Sequence, residues 1–300
     1  YLVKMKIKTL VVGGTGFLGY HICKKALKKK YIVHSLSITK PKNKRKLKKV
    51  FYYKGDIKNI HTLKKIKNNY DFVFNASGYG GIGNKENDKK TYNTHYLGMK
   101  NLIKKTKGTK LKKFIQFGSS NEYGNCSAPQ KETMRCKPKN SYGLAKYNCT
   151  KFLLNMYEKY RFPFVILRLF QVYGPFQSEN RIIPYVIKNS KKNKKISVSK
   201  GNQNRDFCYI DDVINATFKC LNNKKTNGEI INIGLGKPIK IKKLVMIIVK
   251  NLKGGKPLFG KKKFKEKENL NLYPCVLKAK KILKWSPKTT LIKGLKKTIN

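Results

Sequence analysis

Tyr142 and Lys146 stand four residues apart in "SYGLAK" (141–146). That spacing puts both on one face of a helix, so a phenol and an ammonium can point into the same cleft. A free phenol ionises near pH ~10, and a neighbouring cation favours its phenolate. Such a pair can exchange a proton with a substrate hydroxyl near neutral pH. The alternative is one turn of a surface helix in a lysine-rich chain. A second group sits in "FGSSNEYG" (117–124), which closes an apolar run. The Ser119 hydroxyl at that strand tip can bond the same substrate oxygen, because ligands of a parallel sheet bind at its carboxyl edge. Ser119 and Ser120 as plain turn caps are the competing reading.

The third group is "GGTGFLG" (13–19), with Gly13, Gly16 and Gly19 directly between a strand-like and a helix-like segment. Glycine permits the tight turn and a close backbone approach, and a helix N-terminus offers free N–H groups to a pyrophosphate. A dinucleotide is the expected ligand, with Thr15, Phe17 and Leu18 completing its contacts in the turn. Asp56 of "KGDI" (54–57) could accept a hydrogen bond from an adenine amino group, or be an ordinary turn aspartate. Enzymes that prefer NAD carry an acid at the end of the second strand. Here Ser37 stands at that place, with Lys40, Lys42 and Arg45 nearby. The cofactor expected is therefore NADP or NAD, leaning slightly to NADP.

The elements that must position these groups alternate. "KTLVVGG" (8–14), "YIVHSLSI" (31–38), "YDFVFNAS" (70–77), "KKFIQFGSS" (112–120) and "FPFVILRLFQVYG" (162–174) read as buried strands. "FLGYHICKKALKKK" (17–30) places Leu18, Ile22, Ala26 and Leu27 on one face. "THYLGMKNLIKKTK" (94–107) and "YGLAKYNCTKFLLNMYEKY" (142–160) are further helices. The pattern predicts an α/β fold with a Rossmann-type, doubly wound parallel sheet. After Pro175 it breaks up. "RIIPYVIKNSKK" and "IKIKKLVMIIVKNL" look helical, "GEIINIGLG" (228–236) strand-like, and "GGKPLFGKKKFKEKENLNLY" loop-rich. We expect a dinucleotide-binding domain over 5–170, to which 206–235 returns, and a smaller, mostly C-terminal α+β substrate region over 171–300.

Composition narrows the classes. The formal charge is +56 over 300 residues, yet only six residues are arginine. Lysines are spread along the whole length, whereas nucleic-acid binders concentrate charge and use Arg. The charge draws in anionic ligands generally. Of the fourteen acids, Asp56, Asp206, Asp211 and Asp212 fall inside motifs. Seven scattered cysteines without a CxxC pair suit a reducing compartment. Four separated histidines offer no metal site. The longest apolar runs, such as "LVMIIV" (244–249), are too short for a bilayer. The amino end lacks a signal-peptide pattern, and Met5 reads as the start. The expected location is the cytoplasm.

Glycine turn, Asp56, Ser119 and the Tyr142/Lys146 pair, in this order, resemble the extended short-chain dehydrogenase/reductase superfamily. More narrowly the chain resembles its NAD(P)-dependent nucleotide-sugar epimerase/dehydratase branch, from about Lys6 to the end. "RLFQVYGP" (168–175), "GNQNRDFCYIDDV" (201–213) and "LKWSPKTTLIKGLKKTI" (283–299) are similar to that branch's later segments. The resemblance implies a nucleotide-sugar substrate, no specific nucleic acid, no membrane, and a homodimer. It implies that Gly13, Gly16 and Gly19 cradle the pyrophosphate, Asp56 and Ile57 flank adenine, and Asn75, Ala76 and Ser77 line the cofactor. Ser119, Tyr142 and Lys146 become the catalytic set. Arg205 becomes a phosphate clamp, a role that suits its fork of donors, or else an ion-pair partner of Asp206.

There are departures. Dehydratases of the branch follow the strand-tip hydroxyl with an Asp-Glu pair, where this chain has Ser120 and Asn121. That argues against dehydration and leaves Ser120 as a substrate contact. Gln171 replaces an Asn common in "R-x-x-N-x-YGP". Arg181 stands three residues before Pro184, where epimerases often bind substrate through Asn. His95 stands where relatives often have an Asn that supports the lysine. A 4-epimerase and a 4-keto-6-deoxysugar reductase, both exchanging hydride and a proton at sugar C4, stay equally open. A non-catalytic Rossmann scaffold that binds polyanions through lysines is the reading from another class.

Overall fold

In the computed structural model, residues 6–67, 69–78, 85–108, 110–262 and 269–299 are described. Met5 and lysines 263, 265 and 267 of the 261–267 cluster lie outside them. The chain forms two compact units: Tyr1–Glu122, Pro138–Arg168 and Ile214–Ile231, and Tyr123–Lys137, Leu169–Val213 and Asn232–Asn300.

The apolar runs of the first unit build a seven-stranded sheet: β1 (Lys8–Val12), β2 (Ile32–Ser37), β3 (Val50–Lys54), β4 (Phe72–Asn75), β5 (Lys113–Ser119), β6 (Phe164–Leu169) and β11 (Glu229–Ile233). Their order is β11-β6-β5-β4-β1-β2-β3, and the pairs among β1–β5 are parallel. The order reverses between β1 and β4, the switch point where doubly wound sheets bind ligands. Val12 pairs with Asn75, so the glycine turn leaves the sheet beside the tip of β4. Every residue of β5 is buried, as expected for a central strand covered on both faces.

Helices cover this sheet. α1 (Phe17–Lys28) buries Tyr20, Ile22, Cys23 and Ala26. α2 (Ile60–Leu63) is a single turn. α3 (Lys85–Tyr92) runs through a π-helical turn at Asn93–Leu97 into α4 (Gly98–Thr106). The helix expected over 94–107 therefore begins nine residues earlier and carries a bulge at His95. α5 (Ser141–Tyr160) starts where Asn140 accepts the Gly143 amide at 2.7 Å and ends at Arg161 in the left-handed region. Met99, Leu102 and Ile103 of α4, Leu153 of α5, Phe114 of β5 and Phe164 of β6 share one buried apolar cluster.

The second unit is built of small pieces. β7 (Gln171–Tyr173) pairs in parallel with β10 (Phe207–Tyr209). β8 (Lys195–Val198) pairs with β13 (Lys256–Phe259). β9 (Asn204–Arg205) lies between β12 (Ile239–Lys240) and β14 (Asn271–Leu272). α6 (Ile182–Lys191) packs on α8 (Ile241–Leu252), and α9 (Leu277–Leu283) and α10 (Leu291–Ile299) follow. α7 (Ile210–Lys219) begins here and continues into the first unit. Two sequence expectations change. The run 162–174 is two strands, because the chain leaves the large sheet at Phe170 to pair with β10. The stretch read as loop-rich holds β13, an edge strand that tolerates Pro257. Among the described residues no helix is long and apolar enough to cross a membrane, and no cluster of His, Cys, Asp and Glu could hold a metal ion.

Candidate active site

The turn after β1 is held by its own backbone. The Gly13 amide donates to Leu36 O at 2.8 Å, and the Gly16 amide to Gly13 O at 2.9 Å. Gly13 adopts φ +79°, where an L side chain is strained. A Cβ on Gly13 would lie 2.6 Å from Ala76 O, and one on Gly19 2.1 Å from Gly13 O. Glycine is therefore required twice, for the turn and for the seating of α1. Gly16 caps α1 without a side-chain acceptor, and the first turn, Phe17 and Leu18 included, has no acid. That leaves a positive helix end facing out, the arrangement a pyrophosphate needs.

Around this turn the other expected residues gather. The Ser37 hydroxyl accepts the Thr15 amide at 3.3 Å. Ala76 follows β4 with its amide on Val12 O at 3.0 Å. Asn75 donates to Gln116 at 2.8 Å and accepts the Ser77 hydroxyl at 2.6 Å, which fixes the tip of β4. Asp56 accepts the Lys58 amide at 2.9 Å and pairs with its ammonium at 3.4 Å. Ile57 is buried, and its carbonyl accepts from Asn101 at 3.1 Å. Asp56 thus has the geometry of a self-contained turn, with both of its oxygens engaged by Lys58.

Of the groups singled out for chemistry, Tyr142 and Lys146 come together beside the end of β5, the strand that Ser119 closes. Lys146 is buried, and its Nζ donates to Phe117 O at 2.8 Å, two residues before Ser119. The same Nζ lies 5.8 Å from the centre of the Tyr142 ring. The half-buried Tyr142 ring packs edge-on against His95 at 5.2 Å, which comes from the π-helical turn. Such bulges frequently mark functional sites. Ser119 Oγ accepts the Asn121 amide at 3.2 Å, which leaves its O–H to donate. Ser120 is buried beside it.

The expected substrate residues Gln171, Arg181 and Arg205 all line one cavity of about 440 Å³ in the second unit. Arg205 is held there through bonds from Nη1 to Asn204 O at 2.9 Å and Leu270 O at 3.2 Å. Lys262 adds a third cation, with its ammonium 5.2 Å over the Tyr185 ring. Phe207, Gln203 and Ser199 contribute an aromatic face and neutral polar groups, and no carboxylate appears among the described lining residues. Asp206 points elsewhere and accepts the Leu235 and Lys237 amides at 2.7 and 3.1 Å. Burial pushes its carboxyl up to about 6, against the lowering effect of those amides. Size, charge and an aromatic wall suit a nucleoside diphosphate.

The model of the NAD dependent epimerase/dehydratase family matches residues 9–234. The chain belongs to this family. A putative UDP-glucose 4-epimerase of Methanocaldococcus jannaschii is 30% identical over 97% of each chain. A solved UDP-glucuronic acid 4-epimerase of Bacillus cereus, in complex with UDP-glucuronic acid and NAD, is 27% identical over 98% of each chain, with TM-score 0.87. The fold alone is also shared, at 24% identity and TM-score 0.91, with a UDP-glucose 4-epimerase of Thermotoga maritima, covering 98% of this chain and 97% of that one. This epimerase/dehydratase family member is thus close to UDP-sugar 4-epimerases and carries the family's Rossmann-type sheet. Several neighbours of the site escaped sequence reasoning: Gln116, Glu122, Thr150, Tyr185 and Lys262. For Thr150 a signal existed, since it continues the spacing of four from Tyr142 and Lys146.

Proposed function

We propose that this epimerase/dehydratase family member is a UDP-sugar 4-epimerase that keeps its NAD through each cycle. The observation that carries the reading is Lys146 beside the Tyr142 ring and anchored on Phe117 O at 2.8 Å, two residues before Ser119. The turn at Gly13–Gly19, Ser37, and the tip at Asn75–Ser77 hold the cofactor. When bound, NAD supplies the hydride acceptor and donor at C4. Tyr142 removes the proton of the C4 hydroxyl and later returns it. Lys146 presents its ammonium beside the Tyr142 ring. Ser119 donates to the same sugar oxygen and holds it in line. Arg205, Arg181 and Lys262 bind the diphosphate with Gln171 beside them in the same cavity, and Ser120 contacts the substrate next to Ser119.

Dehydration is disfavoured by chemistry at the strand tip. Ser120 and Asn121 carry no acid, and Glu122 is fully buried with its oxygens engaged by Ser119, Thr150 and Arg168. The relatives named 4-epimerases, and NAD in one of them, favour epimerisation with a retained cofactor over reduction. The preference for NADP drawn from Ser37 finds no support there. The test is incubation with NAD and UDP-glucose, UDP-galactose or UDP-glucuronate. The reading expects the C4 epimer without net change in reduced cofactor. A 4-keto-6-deoxy product, or stoichiometric cofactor consumption, overturns it.

A further inference from the structure

We propose that Glu122 is a positioning residue for catalysis, which, with Arg168 and Thr150, fixes the strand tip bearing Ser119 against the helix bearing Tyr142 and Lys146. The inference rests on the C4 chemistry proposed above. Glu122 is 0% and Arg168 2% exposed. Glu122 Oε1 accepts the Ser119 amide at 2.8 Å. Its Oε2 accepts Thr150 Oγ1 at 2.7 Å and Arg168 Nε and Nη2 at 3.0 Å each. One carboxylate therefore links the backbone of Ser119 to α5 and to β6.

Thr150 lies four residues beyond Lys146 and eight beyond Tyr142, so all three share a face of α5. That helix grips β5 through Lys146 on Phe117 O, and the turn after β5 through Thr150 on Glu122. Gly118 sits between the two grips. A Cβ there would lie 2.6 Å from Glu122 Oε1 and 3.1 Å from Arg168 Cγ, so glycine leaves the room the carboxylate occupies.

Stability alone is a weak reason for this arrangement. Two buried charges pay a large desolvation cost, and apolar residues of similar volume often hold a core equally well. Hydrogen bonds instead fix direction. A reacting group displaced by about 1 Å can lose about 100-fold in rate, and Ser119 is the group whose amide this carboxylate holds.

The experiment compares wild type, S119A, T150V and the double variant E122L/R168M, each with Tm, kcat and KM for the UDP-sugar. T150V removes one donor without stranding a charge and is expected to lose about tenfold in kcat. The double variant removes both charges together. It is expected to fold with Tm lowered by several degrees, because the Ser119 amide and the Thr150 hydroxyl lose their acceptor, while kcat falls about 100-fold and KM holds. Wild-type kcat in T150V, or in a folded double variant, overturns the inference. If the double variant does not fold, T150V decides alone. A wild-type protein with no turnover sinks the C4 reading itself, which S119A and the Glu122 variants cannot mimic.

Discussion

Gly16 and Gly19 look equivalent in the motif's spacing, but the structure ranks them. An alanine Cβ at Gly19 would sit 2.1 Å from Gly13 O and 2.6 Å from Gly14 Cα, where ordinary contact begins at 3.4 Å. Both obstacles are backbone, so α1 must withdraw by about 1 Å, a repacking that costs about 1–3 kcal/mol. At Gly16 the Cβ would be 3.2 Å from Gly13 O, a deficit of a few tenths of an ångström. There the cost stays below about 1 kcal/mol. With about 2–4 °C lost per kcal/mol, Gly19→Ala should lower Tm by about 2–12 °C and Gly16→Ala by less than about 4 °C. NAD affinity should split the other way if, as proposed, the backbone at Gly16 approaches the pyrophosphate. Thermal unfolding without cofactor and NAD titration by calorimetry measure both. Equal Tm losses in the two variants, or a wild-type Tm in Gly19→Ala, would refute the packing argument.

Two other variants probe the second unit. Asp206 has its carboxyl raised to about 6 from an ordinary 3.8, so the folded state binds the proton more tightly than the unfolded one. Its contribution to stability is therefore greatest below pH ~4 and falls as pH rises to ~6. Relative to Asp206→Asn, wild type should lose about 3 kcal/mol across that window in urea unfolding, and a flat difference contradicts the assignment. Arg205→Met should weaken UDP binding by about 10–100-fold, the worth of charge-assisted bonds, while NAD affinity stays unchanged. Unaltered UDP affinity in calorimetry would remove Arg205 from the phosphate site.

Much of this was legible in the residues because the decisive signals are local. The β-branched run before Gly13 and the periodic run after Phe17 set the strand–turn–helix, and the Tyr142/Lys146 spacing was sufficient to place both on one side of α5. What stayed hidden depends on partners distant in sequence. Lys113 reads like any other lysine, yet it begins β5, buried, with its ammonium on Thr226 Oγ1 at 2.9 Å, Asn223 O at 3.1 Å and Asn227 Oδ1. Glu122 likewise reads as a turn acid, since its partner Arg168 lies 46 residues away. The second unit was blurred because its strands are two to four residues long, too short for periodicity to register. The split at Phe170 was invisible for a related reason: both halves of the run are apolar, and only the pairing of Gln171–Tyr173 with Phe207–Tyr209 separates them.

At the heart of the proposal, the groups at the end of β5 move a proton at C4 of one bound sugar while bound NAD would take up and return the hydride there. A UDP-sugar carrying deuterium at C4 tests it most directly. The account predicts that the C4 epimer formed by the wild-type protein retains the label at C4, and that Ser119→Ala and Tyr142→Phe form almost no epimer. An epimer that has lost its label, or one formed at an undiminished rate by Tyr142→Phe, would contradict it.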